Sequence, residues 1–124
     1  MPGRPYSCGI DVGIDVVGGK WKVLILWAVH DRPRRFGELR RMVPEVSEKV
    51  LIQQLRELEK DEIVHREAFG EVPPRVEYSL TDYGVALNAA LAPLARWGAE
   101  HKERMQKIRD RDAESVSCKV LSGT

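Results

Sequence analysis

Residues 46–82 read VSEKVLIQQLRELEKDEIVHREAFGEVPPRVEYSLTD, and the hydrophobic period changes within them. Ser47 has the chemistry of an N-cap, and Glu48 falls in the first turn, where a helix dipole favours negative charge. Leu51, Leu55 and Leu58 then lie within about 60° of one another on a helical wheel, with Lys49, Gln53, Arg56 and Lys60 clustered opposite. The spacing predicts a helix from Ser47 to about Asp61, core on one face and basic and polar on the other. From Ile63 to Phe69 the period drops to two, and Val76 to Leu80 alternates again after GEVPPR, which predicts a β-hairpin with a long, proline-stiffened tip. Thr81 and Asp82 then supply a new N-cap and an acidic first turn.

Outward from this stretch the chain stays helical. Towards the N-terminus, Phe36, Leu39 and Met42 recur at helical spacing and stop at Val43 and Pro44. Before them KWKVLILWAVHD is apolar on every side except its ends, the signature of a central core helix in which Trp21 and Trp27 supply much of the buried area. It should stop near Pro33, which cannot continue the hydrogen-bond ladder. Ile10, Ile14 and Val17 mark a short first helix, ended by Gly18 and Gly19, which tolerate the left-handed cap conformation. Towards the C-terminus, Leu87, Leu91, Leu94 and Gly98 form a stripe on a long helix that Pro93 should kink or interrupt. The domain organisation read from this is a flexible arm over 1–8, one folded domain over 9–101, and a charged helical extension fraying into a tail over 102–124.

Helix, short helix, turn, capped helix, hairpin is the order of a winged helix-turn-helix: mainly helical α+β, with a two-stranded hairpin wing and terminal helices. Such a fold lays the second helix of its pair in the major groove of double-stranded DNA, where base edges are distinguishable. Gln53 and Gln54 have the chemistry for adenine, Lys49 and Arg56 for guanine or phosphate. Arg34, Arg35, Arg40 and Arg41 flank the short helix, placed for backbone phosphates, and Arg75 on the stiff hairpin suits a phosphate or a narrow minor groove.

The total charge points the other way until it is divided. The 124 residues carry 20 Lys and Arg against 19 Asp and Glu, a formal +1. Residues 20–60 hold ten basic and six acidic side chains, +4, while residues 61–100 hold three and seven, −4. Basic charge is concentrated where the reading helices are expected. A basic face is also what a merely solvated helix presents, so an interaction module that binds protein instead of DNA stands as the alternative.

The remaining features exclude other classes. The longest apolar run, Val23–Val29, is far shorter than the roughly 20 residues a bilayer span needs, and no secretory h-region opens the chain. A cytoplasmic, reducing compartment is expected, with no membrane partner. His30, His65 and His101 lie far apart without Cys or carboxylates at ligand spacing, so no metal is expected; His65 falls in the wing strand, His30 and His101 near helix ends. No phosphate-cradling or nucleophile motif is present, which predicts neither an enzyme nor a cofactor. A chain this small has few places to bury the Leu87 to Gly98 stripe and Trp97, which favours a second copy as its cover.

The strings DVVGGKWKVLILWAVHDRPRRFGELRRMVP, VSEKVLIQQLRELEKDEIVHRE and VPPRVEYSLTDYG, with Cys8 before them and Trp97 and Gly98 after, resemble the HxlR-type transcriptional regulators, bacterial winged-helix proteins related in fold to MarR regulators. The resemblance covers about residues 8–101. It implies a homodimer joined through the terminal helices (here Leu87, Leu91, Leu94 and Trp97), bound to an inverted-repeat operator by the Ser47–Lys60 helix and the wing at Arg75. It also implies that Cys8, just ahead of the first helix, is a candidate for sensing an oxidant or small electrophile, since the thiolate is favoured at a helix N-terminus. Gly9 follows Cys8 where the family usually has proline. Cys118 lies beyond the shared region and reads as an ordinary free thiol or a partner for Cys8 of another subunit. A dedicated thiol sensor whose DNA binding is secondary is the remaining alternative.

Overall fold

The computed structural model describes residues 6–121, with side chains described through residue 115. In chain order the elements are α1 (Gly9–Val17), α2 (Lys20–Ala28), β1 (Arg34–Arg35), α3 (Phe36–Met42), α4 (Glu48–Lys60), β2 (Val64–Phe69), β3 (Arg75–Leu80) and α5 (Asp82–Leu121). They form two compact units, Met1–Asn88 and Ala89–Thr124. This is the expected winged helix-turn-helix architecture, with one strand more than the sequence marked. β1 pairs antiparallel with β3 (Arg34 opposite Tyr78, Arg35 opposite Glu77), so the sheet has three strands in the order β1-β3-β2. The hairpin itself pairs from Val64 opposite Leu80 to Phe69 opposite Arg75.

Local chemistry explains the boundaries. Gly18 adopts the left-handed conformation, φ 41°, and its N–H donates to the Ile14 carbonyl at 2.8 Å, ending α1 as the glycine pair predicts. Ser47 caps α4, its hydroxyl accepting the Val50 N–H at 3.2 Å. At the other end of α4, Glu62 takes a positive φ of 60°, and the Glu62 and Ile63 N–H groups donate back to Glu59 and Leu58. That is a Schellman turn built without glycine. Thr81 then caps α5 by accepting the Gly84 N–H at 3.1 Å, while its hydroxyl faces the Glu62 and Ile63 carbonyls. Gly84 is required there, because a Cβ would collide with the Ile63 carbonyl.

The core of the first unit is aliphatic: Ile25, Leu26 and Val29 of the α2 segment meet Leu39, Val43, Val46, Leu51, Leu55, Leu58, Ile63 and Val64. Asn88 closes it by donating to the Leu26 carbonyl at 2.9 Å. Here one expectation is corrected. The α2 helix is not buried all round: Trp27 is 43% exposed and Leu24 also faces solvent, whereas Lys22, a cation, is buried. Trp27 lies stacked on His30 at the surface instead of filling the core.

Three further readings change. Pro93 lies inside α5 without interrupting it, and the missing N–H affects only one rung of the ladder. The helical backbone continues to Leu121, beyond where fraying was expected. His101 sits well inside α5 instead of near a helix end, stacked on Trp97 at 4.5 Å. Of the N-terminal arm, residues 1–5 are outside the described residues; Tyr6 donates to Asp15 at 2.7 Å and the Ser7 N–H to Asp11 at 3.0 Å, so the chain is tied to α1 from Tyr6 onward.

Candidate nucleic-acid interface

The α4 helix carries its two faces as the wheel predicts. Leu51, Leu55 and Leu58 are fully buried, and Lys49, Gln53, Arg56 and Lys60 are exposed on the opposite side, with Gln54 half-buried between them. Glu48, Lys49, Ile52, Gln53, Arg56 and Glu57 line an open groove along this outer face. A smaller hollow joins the helix to the sheet through Ile52, Arg56, Glu59, Arg66 and Tyr78. Arg66 was missed from sequence, where it reads only as one outward residue of an alternating strand; the sheet sets it beside Arg56. Ser47 is occupied with the Val50 N–H, so its first role is structural.

The arginines divide into exposed and committed ones. Arg34 turns inward rather than out toward the surface where a phosphate would lie. Its side chain is largely buried, Nε donates to the Ala28 carbonyl at 2.9 Å, and its guanidinium reaches Asp31 at 3.2 Å and Glu38 at 3.6 Å. A cation desolvated in this way is held by its partners. Arg35 is exposed, and its N–H donates to Glu38 at 3.1 Å. That bond, with Arg32 and Arg34 nearby, holds the Glu38 carboxyl below its ordinary range. Arg40 makes a half-exposed pair with Glu48 at 3.2 Å, a contact weak enough for a phosphate to displace. Arg75 does not reach out from the hairpin tip. It opens β3, lies 4.0 Å over the Phe69 ring, and pairs with Glu71 at 3.0 Å and Glu77 at 3.7 Å.

The other sequence-marked residues lie apart from this surface. Cys8 is exposed at the N-cap of α1, where its carbonyl accepts the Val12 N–H at 3.2 Å and its side chain makes no capping bond. The side chain of Cys118 is outside those described. In α5, Leu87 and Leu91 are half-buried while Leu94 and Trp97 are exposed. His65 is exposed on β2. Among the described residues no cluster of His, Cys, Asp or Glu has metal-binding geometry, and no helix is long and apolar enough to cross a membrane.

Known proteins resemble this chain over most of its length. The HxlR-like helix-turn-helix family matches residues 16–106. The HTH-type transcriptional regulator YkvN of Bacillus subtilis (strain 168) is 41% identical over 119 residues, 96% of this chain and 99% of that protein. Among solved structures, the redox regulator HypR in its oxidized form has a TM-score of 0.72 at 44% identity, covering 75% of this chain and 96% of HypR. Diamide-treated YodB from B. subtilis has a TM-score of 0.66 at 35% identity, covering 76% of this chain and 94% of YodB. The chain belongs to the HxlR-like helix-turn-helix family, and it is accordingly a DNA-binding HTH-type transcriptional regulator and not an enzyme.

Proposed function

We propose that this regulator binds an inverted-repeat operator as a homodimer and reads it with α4. The observation that carries the reading is the placement of Lys49, Gln53, Arg56 and Lys60 on one exposed face, directly opposite three buried leucines. Rigid packing behind a basic, hydrogen-bonding face is what groove readout requires. Gln53 and Gln54 read base edges, Lys49 and Arg56 take guanine or phosphate, and Arg35, Arg40 and the Ser47 turn fix register on the backbone. Arg75, braced by Phe69 and two carboxylates, orders the wing and meets the backbone only by exchanging an internal partner for a phosphate. The alternative of a protein-binding module finds no aromatic anchor among the residues of the α4 groove.

The homodimer is supported by apolar surface that the chain leaves open. Ile10, Ile14, Trp27, Leu94 and Trp97 are all exposed, on α1, α2 and α5; a second copy is the economical cover for faces of this kind. Residues 9–101 are the working domain and 102–124 its extension. A two-fold axis would set the two α4 helices in successive major grooves, about 34 Å apart. As a regulator bound to DNA, it acts in the cytoplasm. For Cys8 we propose a response to oxidants or small electrophiles, supported by its exposure at the α1 N-cap and by the likeness to HypR, a redox regulator.

Selection of bound fragments from random or genomic DNA tests the main reading. Enrichment of an inverted repeat with half-sites about 10 base pairs apart is expected; retention of all sequences alike would overturn it. For Cys8, operator release by diamide or a quinone should be lost in Cys8→Ser, and release that persists would remove Cys8 from the response.

A further inference from the structure

We infer that Arg56, Arg66 and Tyr78 form a site for one phosphate group of the DNA backbone, at the corner where α4 meets the sheet. The inference rests on α4 being the reading helix. It begins with a hollow of about 320 Å³ that Ile52, Arg56 and Glu59 of α4 share with Arg66 of β2 and Tyr78 of β3. Arg66 and Tyr78 are direct partners in the hairpin register, which places their side chains on one face of the sheet. That face also carries Val64, two residues before Arg66 and 2% exposed, and it is the one packed against α4. Arg56 comes to the same hollow from the helix, one turn after Ile52.

What marks the hollow is charge without a partner. Arg34 stands third in the same row of the sheet, opposite Tyr78 on the other side, and its guanidinium is committed to Asp31, Glu38 and the Ala28 carbonyl. Arg40 and Arg75 also hold carboxylates. Among the described residues neither Arg56 nor Arg66 makes an ion pair or a side-chain hydrogen bond. Two like charges brought together from different elements repel, so as they stand they add nothing to the fold. Glu59 offsets one of them and leaves the hollow one positive charge in excess, which the single negative charge of a phosphodiester balances.

The donors suit that ligand. Each guanidinium presents a planar fork that meets two phosphate oxygens at once, and the Tyr78 hydroxyl is a further donor. The position suits it as well. With α4 in the major groove and the hairpin beside the neighbouring minor groove, the ridge between them is the sugar–phosphate backbone, and the corner between helix and sheet has to straddle it. A phosphate held there by one arginine from each element fixes helix and wing on the duplex together without reading sequence. Arg56 is thereby assigned to phosphate instead of guanine, and Arg66 becomes part of the interface.

The test measures duplex affinity against salt for the full-length protein, comparing wild type, Arg66→Ala, Arg56→Ala and the double variant. Both arginines are exposed, so the alanine variants keep the core. Per bound subunit, Arg66→Ala should weaken binding by about 10-fold on operator and random duplex alike and lower the salt slope by about one unit. Because one phosphate takes both guanidiniums, the double variant should also lose about one unit per subunit instead of two, and the two affinity losses should not add. A single methylphosphonate, which removes the charge of one phosphate, then locates the contact. Walked along the half-site, it should weaken wild type at one position where it costs the double variant nothing. An unchanged slope in Arg66→Ala, a loss of two units in the double variant, or a methylphosphonate profile identical in both proteins would overturn the inference. Inorganic phosphate is the other source of the same chemistry. A thermal midpoint raised by phosphate over chloride at equal ionic strength, and lost in an Arg66→Ala that still binds duplex like wild type, would assign the hollow to a free anion and overturn the backbone assignment. A wild type that binds no duplex at all would instead bring down the DNA-reading proposal itself.

Discussion

α1 and α4 are both short amphipathic helices, yet α4 buries its whole apolar face within its own chain and α1 buries no residue at all. Leu51, Leu55 and Leu58 are 0–2% exposed, whereas Ile10 and Ile14 are 76% and 64% exposed. Periodicity therefore says that a face will be covered without saying by what. In α4 the cover is α2 and the start of β2; in α1 the described residues leave Ile10 and Ile14 open. The comparison separates the part of the molecule whose apolar face is closed within its own chain from the part whose apolar face stands open, which the proposed dimer would cover.

The largest effect should come from emptying the closed side. Leu55→Ala removes a buried leucine and should cost about 2–5 kcal/mol of unfolding free energy, the same at every protein concentration. Ile14→Ala, measured on dilute protein by denaturant titration, should stay within about 0.5 kcal/mol of wild type. If the two cost alike in dilute solution, α1 is core and the contrast breaks. Trp97→Ala then probes the open side of the other terminal helix. A buried tryptophan at the centre of an interface contributes about 2 kcal/mol or more, so self-association followed by sedimentation should weaken by about 30-fold. An unchanged association constant would place the seam elsewhere.

How much of this division is legible in sequence depends on whether the deciding contact is local. The Leu51, Leu55, Leu58 face, the Ser47 cap, the hairpin alternation and the Gly18 stop are within-element patterns, and each reads correctly. β1 does not, because two residues carry no period; Arg34 and Arg35 become a strand only when β3 arrives beside them. The same arginine run reads as two equivalent phosphate ligands, yet Arg34 turns inward to the Ala28 carbonyl once the chain has turned at Pro33. Trp27 is read as core because an all-apolar helix has no visible outer side, and Lys22 is read as a polar helix end because its partner is on α4, 35 positions later. Arg66 is hidden in an alternating strand until the sheet brings it to Arg56.

The caps offer a smaller and sharper contrast. Ser47 accepts the Val50 N–H, and Ser47→Ala should cost about 1 kcal/mol. Cys8 occupies the corresponding position on α1 with no side-chain capping bond, so Cys8→Ser should leave stability unchanged or raise it by up to about 1 kcal/mol. Thermal melts of both variants check this. A clear destabilisation by Cys8→Ser would mean that the thiol packs against something the open α1 does not show.

The smallest effects lie in pH, and here the two helices should respond in opposite directions. The hydrogen bond and charge of Lys22 hold the Glu57 carboxyl below its ordinary range. The folded state therefore keeps that proton off at pH values where the unfolded chain binds it. The resulting stability is present above the ordinary carboxylate value of about 4.3 and is lost as pH falls through the lower folded value. Beside α1 the sign reverses: the hydrogen bond from Tyr6 to Asp15 raises the Tyr6 phenol, so its stabilisation is present below about pH 10 and is lost as pH rises through the higher folded value. Thermal midpoints recorded across pH should show a flattened acid limb in Glu57→Gln and a flattened alkaline limb in Tyr6→Phe. A Tyr6→Phe profile that overlays wild type in alkali would release the chain ahead of α1 from the helix, leaving the open side of the molecule with no electrostatic tie there and α4 with the only one of the pair.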